Sequence, residues 1–356
     1  MFFKIIDKES IVDLYAGLAA EYDEVTGPKT SPKDPRYVKF GKIRDASQLR
    51  LDYKTSIVPP KKYFLAADER LMRYDRTTGE VYDTEPPLQT RALIGVHPCD
   101  INAILMLDDI FLNEFEDPYY KVYRENTFIV GVSCMPSPTC TCNSFGADEV
   151  HRGFDLFLSD LGDRWFVSVR SVKAAAIVDR YLDAREVTAD DTRAFQERTK
   201  RFKKALPKRM DLDQLPLLYD AKYDYPLWED IGKDCLSCGA CSVVCPCCYC
   251  FDVRDTLSAD GRVGKRHRVW DSCLASEFAE VAHNHNFRPK AADRVRYRFY
   301  HKFVGNFTRN GKMLCVGCGR CTTACKAFID PQRIVKALES EDTPASAGTR
   351  KGGGAQ

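Results

Sequence analysis

The chain carries no GxGxxG behind an apolar strand and no GxxxxGK[ST], so no dinucleotide or nucleotide site is legible from its motifs. Gly-x-Ser-x-Gly is also missing, which removes the strand-to-helix nucleophile elbow. No apolar run approaches the ~18 residues of a spanning helix, so no membrane insertion is expected. Met1-Phe2-Phe3-Lys4 leads into charge and not into an apolar h-region, so a secretory signal is not expected either. An excess of one charge is lacking. Fifty-three Lys and Arg against 51 Asp and Glu leave +2, with no global case for nucleic acid. Histidine is scarce, at six residues, and His283-Asn284-His285 is too closely spaced for one helix face. A histidine metal site is not expected.

Cysteine is abundant, with sixteen in 356 residues. With no leader in view, metal ligation in a reducing, cytoplasmic compartment is the expectation, ahead of a disulfide framework. Two stretches repeat one pattern. Cys235-x-x-Cys238-x-x-Cys241-x-x-x-Cys245-Pro246 is followed 80 positions later by Cys315-x-x-Cys318-x-x-Cys321-x-x-x-Cys325, and Gly239 and Gly319 follow the second cysteine of each. This spacing holds a [4Fe–4S] cube, and in two-cluster ferredoxins the fourth cysteine ligates the other cluster. The expected sets are Cys235, Cys238, Cys241 and Cys325 for one cube, and Cys315, Cys318, Cys321 and Cys245 for the other. Structural zinc is the alternative, since four thiolates also suit it, but zinc sites usually show paired CxxC knuckles.

The length suggests two or three domains. Ile11, Leu14, Tyr15 and Leu18 fall at helical spacing. Pro59 to Leu65 reads as a turn entering a strand. Ala92–Val96 and Thr127–Val132 are continuous apolar runs, as in strands buried on both faces. A helix from about Asp100 lies between them, which makes a βαβ unit. Phe154–Ser159 and Trp165–Val169 read as a hairpin. Residues 172–215 look helical, with Thr188 or Asp190 as a start signal. The expected class is α+β: an α/β domain over 1–220, a mainly helical dicluster ferredoxin-type domain over 221–340, and a disordered tail over 341–356. Within the 70 positions separating Cys245 from Cys315, two helical stripes are expected. One holds Ala275, Phe278, Ala279 and Ala282; the other holds Val295, Phe299, Phe303 and Phe307.

The remaining cysteines form two groups. Cys99 and Cys134 end successive apolar strands, where open sheets gather their sites. Cys140-Thr141-Cys142 lies in the following loop. These four suit a third cluster, against the alternative of buried, inert thiols. Cys247, Cys248, Cys250 and Cys273 are the other group. Trp270-Asp271-Ser272 reads as a helix N-cap before Cys273, which favours a thiolate. Cys248, Cys250 and Cys273 are candidates for a fourth cluster or a labile thiol pair, and packing around the first two cubes is the alternative. Residues 254–312 hold thirteen Lys or Arg against six Asp or Glu, which suits an acidic redox partner or a solvated face.

Several segments together resemble a known family: Gly95-Val96-His97-Pro98-Cys99-Asp100, Asp117-Pro118-Tyr119-Tyr120, Thr139-Cys140-Thr141-Cys142, Cys245-Pro246-Cys247-Cys248-Tyr249-Cys250-Phe251-Asp252, Trp270-Asp271-Ser272-Cys273 and His301-Lys302-Phe303. With the two cluster motifs, they resemble the iron–sulfur beta subunit of cytosolic hydrogenase/sulfhydrogenases. That family includes an iron–sulfur component of anaerobic sulfite reductase and flavin oxidoreductase subunits linked to heterodisulfide reductase. The resemblance spans about residues 40–335. Cys247 stands where relatives usually have Thr, His97 where they have Arg, and Lys326 where Pro often follows. The resemblance implies an electron relay between a flavin subunit that meets NAD(P)H and a catalytic oxidoreductase subunit, with the chain not catalytic alone. The alternative is a catalytic subunit reducing sulfite, sulfur or a disulfide-type substrate at a cluster held by the surplus cysteines.

Overall fold

The computed structural model describes residues 2–82, 85–86, 88–113, 115–207 and 209–340. The expected disordered tail, 341–356, lies outside the described residues. Two compact units interleave along the chain. Met1–Arg209 packs with Cys245–Trp270 and Val316–Gly319; Met210–Val244 packs with Asp271–Cys315 and the segment from Arg320. The sequence division at 220 is contiguous and the compact units are not, because residues 245–270 and 316–319 pack with the N-terminal unit.

The first unit is built on a seven-stranded mixed sheet. Its strands are β1 (Phe2–Asp7), β2 (Glu24–Thr30), β3 (Val38–Lys42), β6 (Arg91–Val96), β7 (Thr127–Val132), β8 (Leu156–Asp160) and β9 (Arg164–Val169), in the order β1-β9-β8-β7-β6-β2-β3. The central pairings β2–β6, β6–β7 and β7–β8 are parallel. Leu93, Ile94, Ile129 and Val130 are wholly buried, as continuous apolar runs in parallel strands demand. Helices α2 (Pro98–Phe111) and α3 (Pro118–Glu125) connect β6 to β7. Helix α1 spans Ile11–Glu21 and α4 spans Val172–Tyr181. Gly17 of α1 lies so close to α4 that a Cβ there would stand 2.6 Å from the Tyr181 ring. Helix α5 (Ala189–Ala205) starts at a capping box: Thr188 Oγ1 accepts from the Asp191 amide while the Asp191 carboxylate accepts from the Thr188 amide.

Beside this sheet lies an antiparallel one formed by β4 (Asp68–Asp75), β5 (Val81–Tyr82), β10 (Phe251–Leu257) and β11 (Val263–Trp270), ordered β10-β11-β4-β5. It corrects the expectation that the insert between the motifs is helical. Residues 251–270 alternate as strands around a turn at Asp260-Gly261, and Gly261 has φ +68°. Pro59–Leu65 is a further correction, since Pro60–Tyr63 forms a 3-10 turn and no strand follows directly. Buried Arg268 of β11 pairs with Glu69 of β4 and with Asp117. Asp117 also caps α3 by accepting from the Tyr120 amide at 2.8 Å.

The second unit contains α6 (Leu215–Ala221), α7 (Leu227–Asp234), α8 (Ala240–Val243), α9 (Ala291–Tyr300), α10 (Asn306–Asn310), α11 (Arg320–Ala324) and α12 (Pro331–Glu339). A π-helical turn at His301–Gly305 joins α9 to α10. Val295, Phe299 and Phe303 of the expected stripe are buried while Phe307, its fourth member, is exposed, and Tyr219 and Trp228 pack on the buried part with ring centroids 5.3–6.5 Å apart. The stripe through Ala275, Phe278, Ala279 and Ala282 is not an α-helix. A 3-10 turn at Glu277–Ala279 leads into a two-residue strand at Glu280–Val281. Asn286 Nδ2 donates to the Ser276 carbonyl at 2.6 Å and so satisfies an acceptor outside any helix.

Candidate iron–sulfur sites

In the first motif, α7 ends at Cys235, whose amide donates to the Ile231 carbonyl at 3.0 Å. Ser237 (φ +50°) and Gly239 (φ +71°) then curl the chain through left-handed conformations, and α8 begins at Ala240. The second motif repeats these steps 80 residues on. Gly317 has φ +60°, Gly319 has φ +73°, and α11 follows at Arg320. Alternating left- and right-handed residues turn successive N–H groups inward, and such nests receive anionic groups, iron–sulfur sites among them. Burial raises the pKa of the Cys235 thiol. Cys241, Cys325 and Cys238 are close enough to raise it further, while a hydrogen bond from the Ser237 backbone lowers it. Cys325, from the distant motif, is therefore a neighbour of the first loop. Its own sulfur accepts from the Ile329 amide at 3.3 Å.

Of the second expected set, Cys315 and Cys321 belong to the second unit, and Cys245 and Cys318 to the first. Lys302 Nζ donates to the Leu314 carbonyl at 2.9 Å and so fixes the entry to Cys315. The Cys245 carbonyl accepts from the Cys248 amide in a tight turn.

The N-terminal four come together in the first unit. The register between β6 and β7 slips at Gly95, which has φ +79°. A Cβ there would strike Pro28 at 2.8 Å, and Tyr53 Oη donates to the Gly95 carbonyl at 2.8 Å. This bulge aims the chain into α2, where Cys99 is the second residue. Cys134 follows β7, and its carbonyl accepts from Arg198 Nη2 at 3.0 Å. Cys140 and Cys142 sit with sulfurs 3.3 Å apart. The Cys142 thiol is pushed up by its hydrogen bond to Cys140, by burial, and by Cys140, Cys99 and Cys134 as neighbours. Cys134 is pushed up to about 12, mainly by burial and then by Cys140, with Arg198 opposing. Four thiols from two strand ends and one loop thus share one electrostatic neighbourhood. Among the described residues, no three His, Cys, Asp or Glu side chains close tightly enough on one point for a single metal ion. A cube spreads its thiolates over four irons, farther apart than the 3.3 Å between the Cys140 and Cys142 sulfurs, so what fits the group here is the gathering of four thiols in one neighbourhood and not their spacing.

The comparisons agree with the motifs. Residues 234–329, which enclose both, match the family described as 4Fe-4S dicluster domain. Over 302 residues the chain is 39% identical to sulfhydrogenase 2 subunit beta of Pyrococcus furiosus, covering 83% of this chain and 87% of that protein. The chain belongs to the sulfhydrogenase beta-subunit family. It is an iron–sulfur protein of the [4Fe–4S] type. Among the described residues no helix is long and apolar enough to cross a membrane.

The third cysteine group is not gathered within one unit. Cys247 is fully buried, with its sulfur 3.9 Å from Met106 Sδ. The Cys248 carbonyl accepts from buried Lys61 Nζ at 2.7 Å. Cys248 and Cys250 belong to the first unit and Cys273 to the second. The expected helix N-terminus before Cys273 does not form. Ser272 Oγ accepts from the Leu274 amide and donates to Ser242 Oγ at 3.0 Å, and only the 3-10 turn at Glu277–Ala279 follows, not an α-helix.

Sequence reasoning missed a row of buried cations in this family member. Arg294, Arg298 and Lys302 recur every four residues along α9 and the π turn, each about 5% exposed. Arg298 donates to the Cys241 carbonyl at 2.9 Å and to Ser242 Oγ at 3.0 Å. Arg294 donates to Ser237 Oγ at 2.9 Å and to the Leu274 carbonyl at 3.0 Å. These cations clamp the cysteine loops, so neither a docking patch nor a solvated face describes them. The available signal was their spacing, one residue before each member of the Val295, Phe299, Phe303 stripe. His301, beside Lys302, has its pKa lowered to about 4, by burial first and then by Lys302, Arg309 and Arg298.

Proposed function

We propose that this chain relays electrons within a soluble, cytoplasmic oxidoreductase complex of the hydrogenase type, linking a partner that handles flavin and NAD(P)H to a catalytic partner. The observation that carries the reading is the repeated loop in which paired left-handed residues cup three cysteines, with Cys325 returning to the first loop. Cys235, Cys238, Cys241 and Cys325 hold one [4Fe–4S] cluster, and Cys315, Cys318, Cys321 and Cys245 another. Cys99, Cys134, Cys140 and Cys142 hold a third. A bound cluster supplies a one-electron couple, tuned by hydrogen bonds to sulfur, charge and burial. The chain's own residues do the tuning: Arg298 and Arg294 fix the first loop, and the Ile329 amide donates to Cys325 sulfur.

Burial favours relay over substrate reduction at the surplus cysteines. Cys140, Cys142, Cys247, Cys248 and Cys273 are buried, and Cys99, Cys134 and Cys250 are half-buried, so none of the surplus cysteines is fully open to a substrate. Cys248, Cys250 and Cys273 are read as packing around the clusters.

Anaerobic purification tests the reading. The chain should be brown, contain at least eight irons with matching sulfide and little zinc, and pass electrons between artificial carriers. Alone, it should neither oxidise NAD(P)H nor evolve hydrogen. Stoichiometric zinc without sulfide would overturn the reading.

A further inference from the structure

Within the first unit, the loop carrying Cys140 and Cys142 lies directly on the loop carrying Cys318. The Thr141 amide donates to the Gly317 carbonyl at 2.7 Å, and Thr139 Oγ1 donates to the Gly319 carbonyl at 3.4 Å. Contact is at van der Waals limits on both sides. A Cβ on Gly317 would lie 2.5 Å from the Thr141 carbonyl, and one on Gly319 would lie 2.4 Å from the Thr139 oxygen. The covalent path is short. Thr141 nitrogen is bonded to the Cys140 carbonyl carbon, and the Gly317 carbonyl carbon is bonded to Cys318 nitrogen. One hydrogen bond therefore joins the backbone of a cysteine in the N-terminal four to the backbone of a cysteine in the second motif.

We propose that the site formed by Cys99, Cys134, Cys140 and Cys142 exchanges electrons directly with the cluster held through Cys318, across the Thr141–Gly317 hydrogen bond. The inference rests on the reading of those four cysteines as cluster ligands. It adds the order of the relay: the N-terminal site is in series with the second motif and is not a separate structural centre. One electron leaves one cluster and enters the other, with no bond made or broken. A low-potential carrier supplies the electron and an oxidised carrier accepts it.

The test uses the intact chain, purified anaerobically and titrated with dithionite while its electron paramagnetic resonance is recorded. Clusters in such contact interact magnetically, so the signal of the first to reduce should broaden as the other reduces. Cys99→Ala should lose four irons and simplify the spectrum to that of the remaining pair. If Cys99→Ala retains all its iron, the ligand reading itself fails. If it loses four irons while the signal that disappears is that of a magnetically isolated centre, the ligands stand and the series connection is overturned. Should Cys99→Ala not fold, the wild-type titration decides: line shapes unchanged throughout reduction overturn the proposal.

Discussion

Arg298 gives the sharpest test of how the first cysteine loop is held. Its guanidinium is about 5% exposed and donates to the Cys241 carbonyl and Ser242 Oγ at 2.9 and 3.0 Å. Arg298→Met keeps most of the apolar stem and removes both bonds. Hydrogen bonds from a charged donor contribute about 1.5–3 kcal/mol each, and part of that is offset by no longer burying the charge. A net loss of ~3 kcal/mol follows, which at 2–4 °C per kcal/mol lowers the melting temperature by roughly 6–12 °C. Arg296→Met is the control. Arg296 pairs with Asp224 and Asp293 near the surface, where ion pairs contribute about 0–1 kcal/mol. The two variants should differ clearly in anaerobic thermal unfolding. The midpoint potential of one cluster should also fall in Arg298→Met, because a buried cation favours the more negative, reduced state. A variant with wild-type melting and unchanged potentials would refute the clamp.

Three further outcomes are expected. Gly311 and Gly317 both have positive φ, but a Cβ on Gly311 meets nothing within 4 Å. Gly311→Ala should therefore lose only the ~1–2 kcal/mol of a left-handed residue in chemical denaturation, and Gly317→Ala distinctly more. Arg185, Thr188 and Arg164 hold the Asp191 carboxyl well below the usual carboxylate range, with burial opposing. A depressed carboxyl pKa stabilises the fold above the unfolded value of ~3.9, and that contribution is lost as pH falls through the folded value. Asp191→Asn should thus destabilise by about 2 kcal/mol between pH 5 and 8, allowing for half-exposed Arg185, and by less in strong acid. Removing iron with chelator under oxidation should lower the melting temperature, since ligand binding contributes folding free energy; an unchanged transition would separate the clusters from the fold.

Much of this was legible locally. Ala92–Val96 and Thr127–Val132 read as buried strands because β-branched and apolar residues run without interruption. Thr188, one of the two start signals read before this helix, is its N-cap, and the structure adds Asp191 as the partner that returns the bond. The cysteine spacing carried the cluster loops, because ligand geometry is written in the spacing itself. The β10–β11 hairpin was not legible in the same way. Its strands are rich in charge, and Arg268 is buried only because Glu69 and Asp117, from remote parts of the chain, receive it. The Ala275–Ala282 stripe had helical period without a helix. Ser272 turns its hydroxyl toward Ser242, a contact 30 residues away, and the expected cap never forms. Arg294 and Arg298 looked solvated for the same reason. Their acceptors are carbonyl and hydroxyl oxygens of the cysteine loops, which no local pattern places there.

The two motif copies differ where they are covered, and that difference explains a choice of residue. Ser237 and Gly317 occupy equivalent positions and share a left-handed conformation, at φ +50° and +60°. A side chain is accommodated at 237, where Ser237 Oγ accepts from Arg294 at 2.9 Å. At 317 the corresponding space is filled by Thr141 backbone, which a Cβ would meet at 2.5 Å. Conformation alone favours glycine at both positions, so it cannot account for serine in one and glycine in the other. The covering segment can. The first loop is closed by a buried arginine that needs an acceptor, and the second by a cysteine-bearing loop that needs room. Ser237→Gly should therefore cost the Arg294 bond while relieving the left-handed strain, a change of about 1 kcal/mol or less. Gly317→Ser has no such offset, and separates the Cys140–Cys142 loop from Cys318.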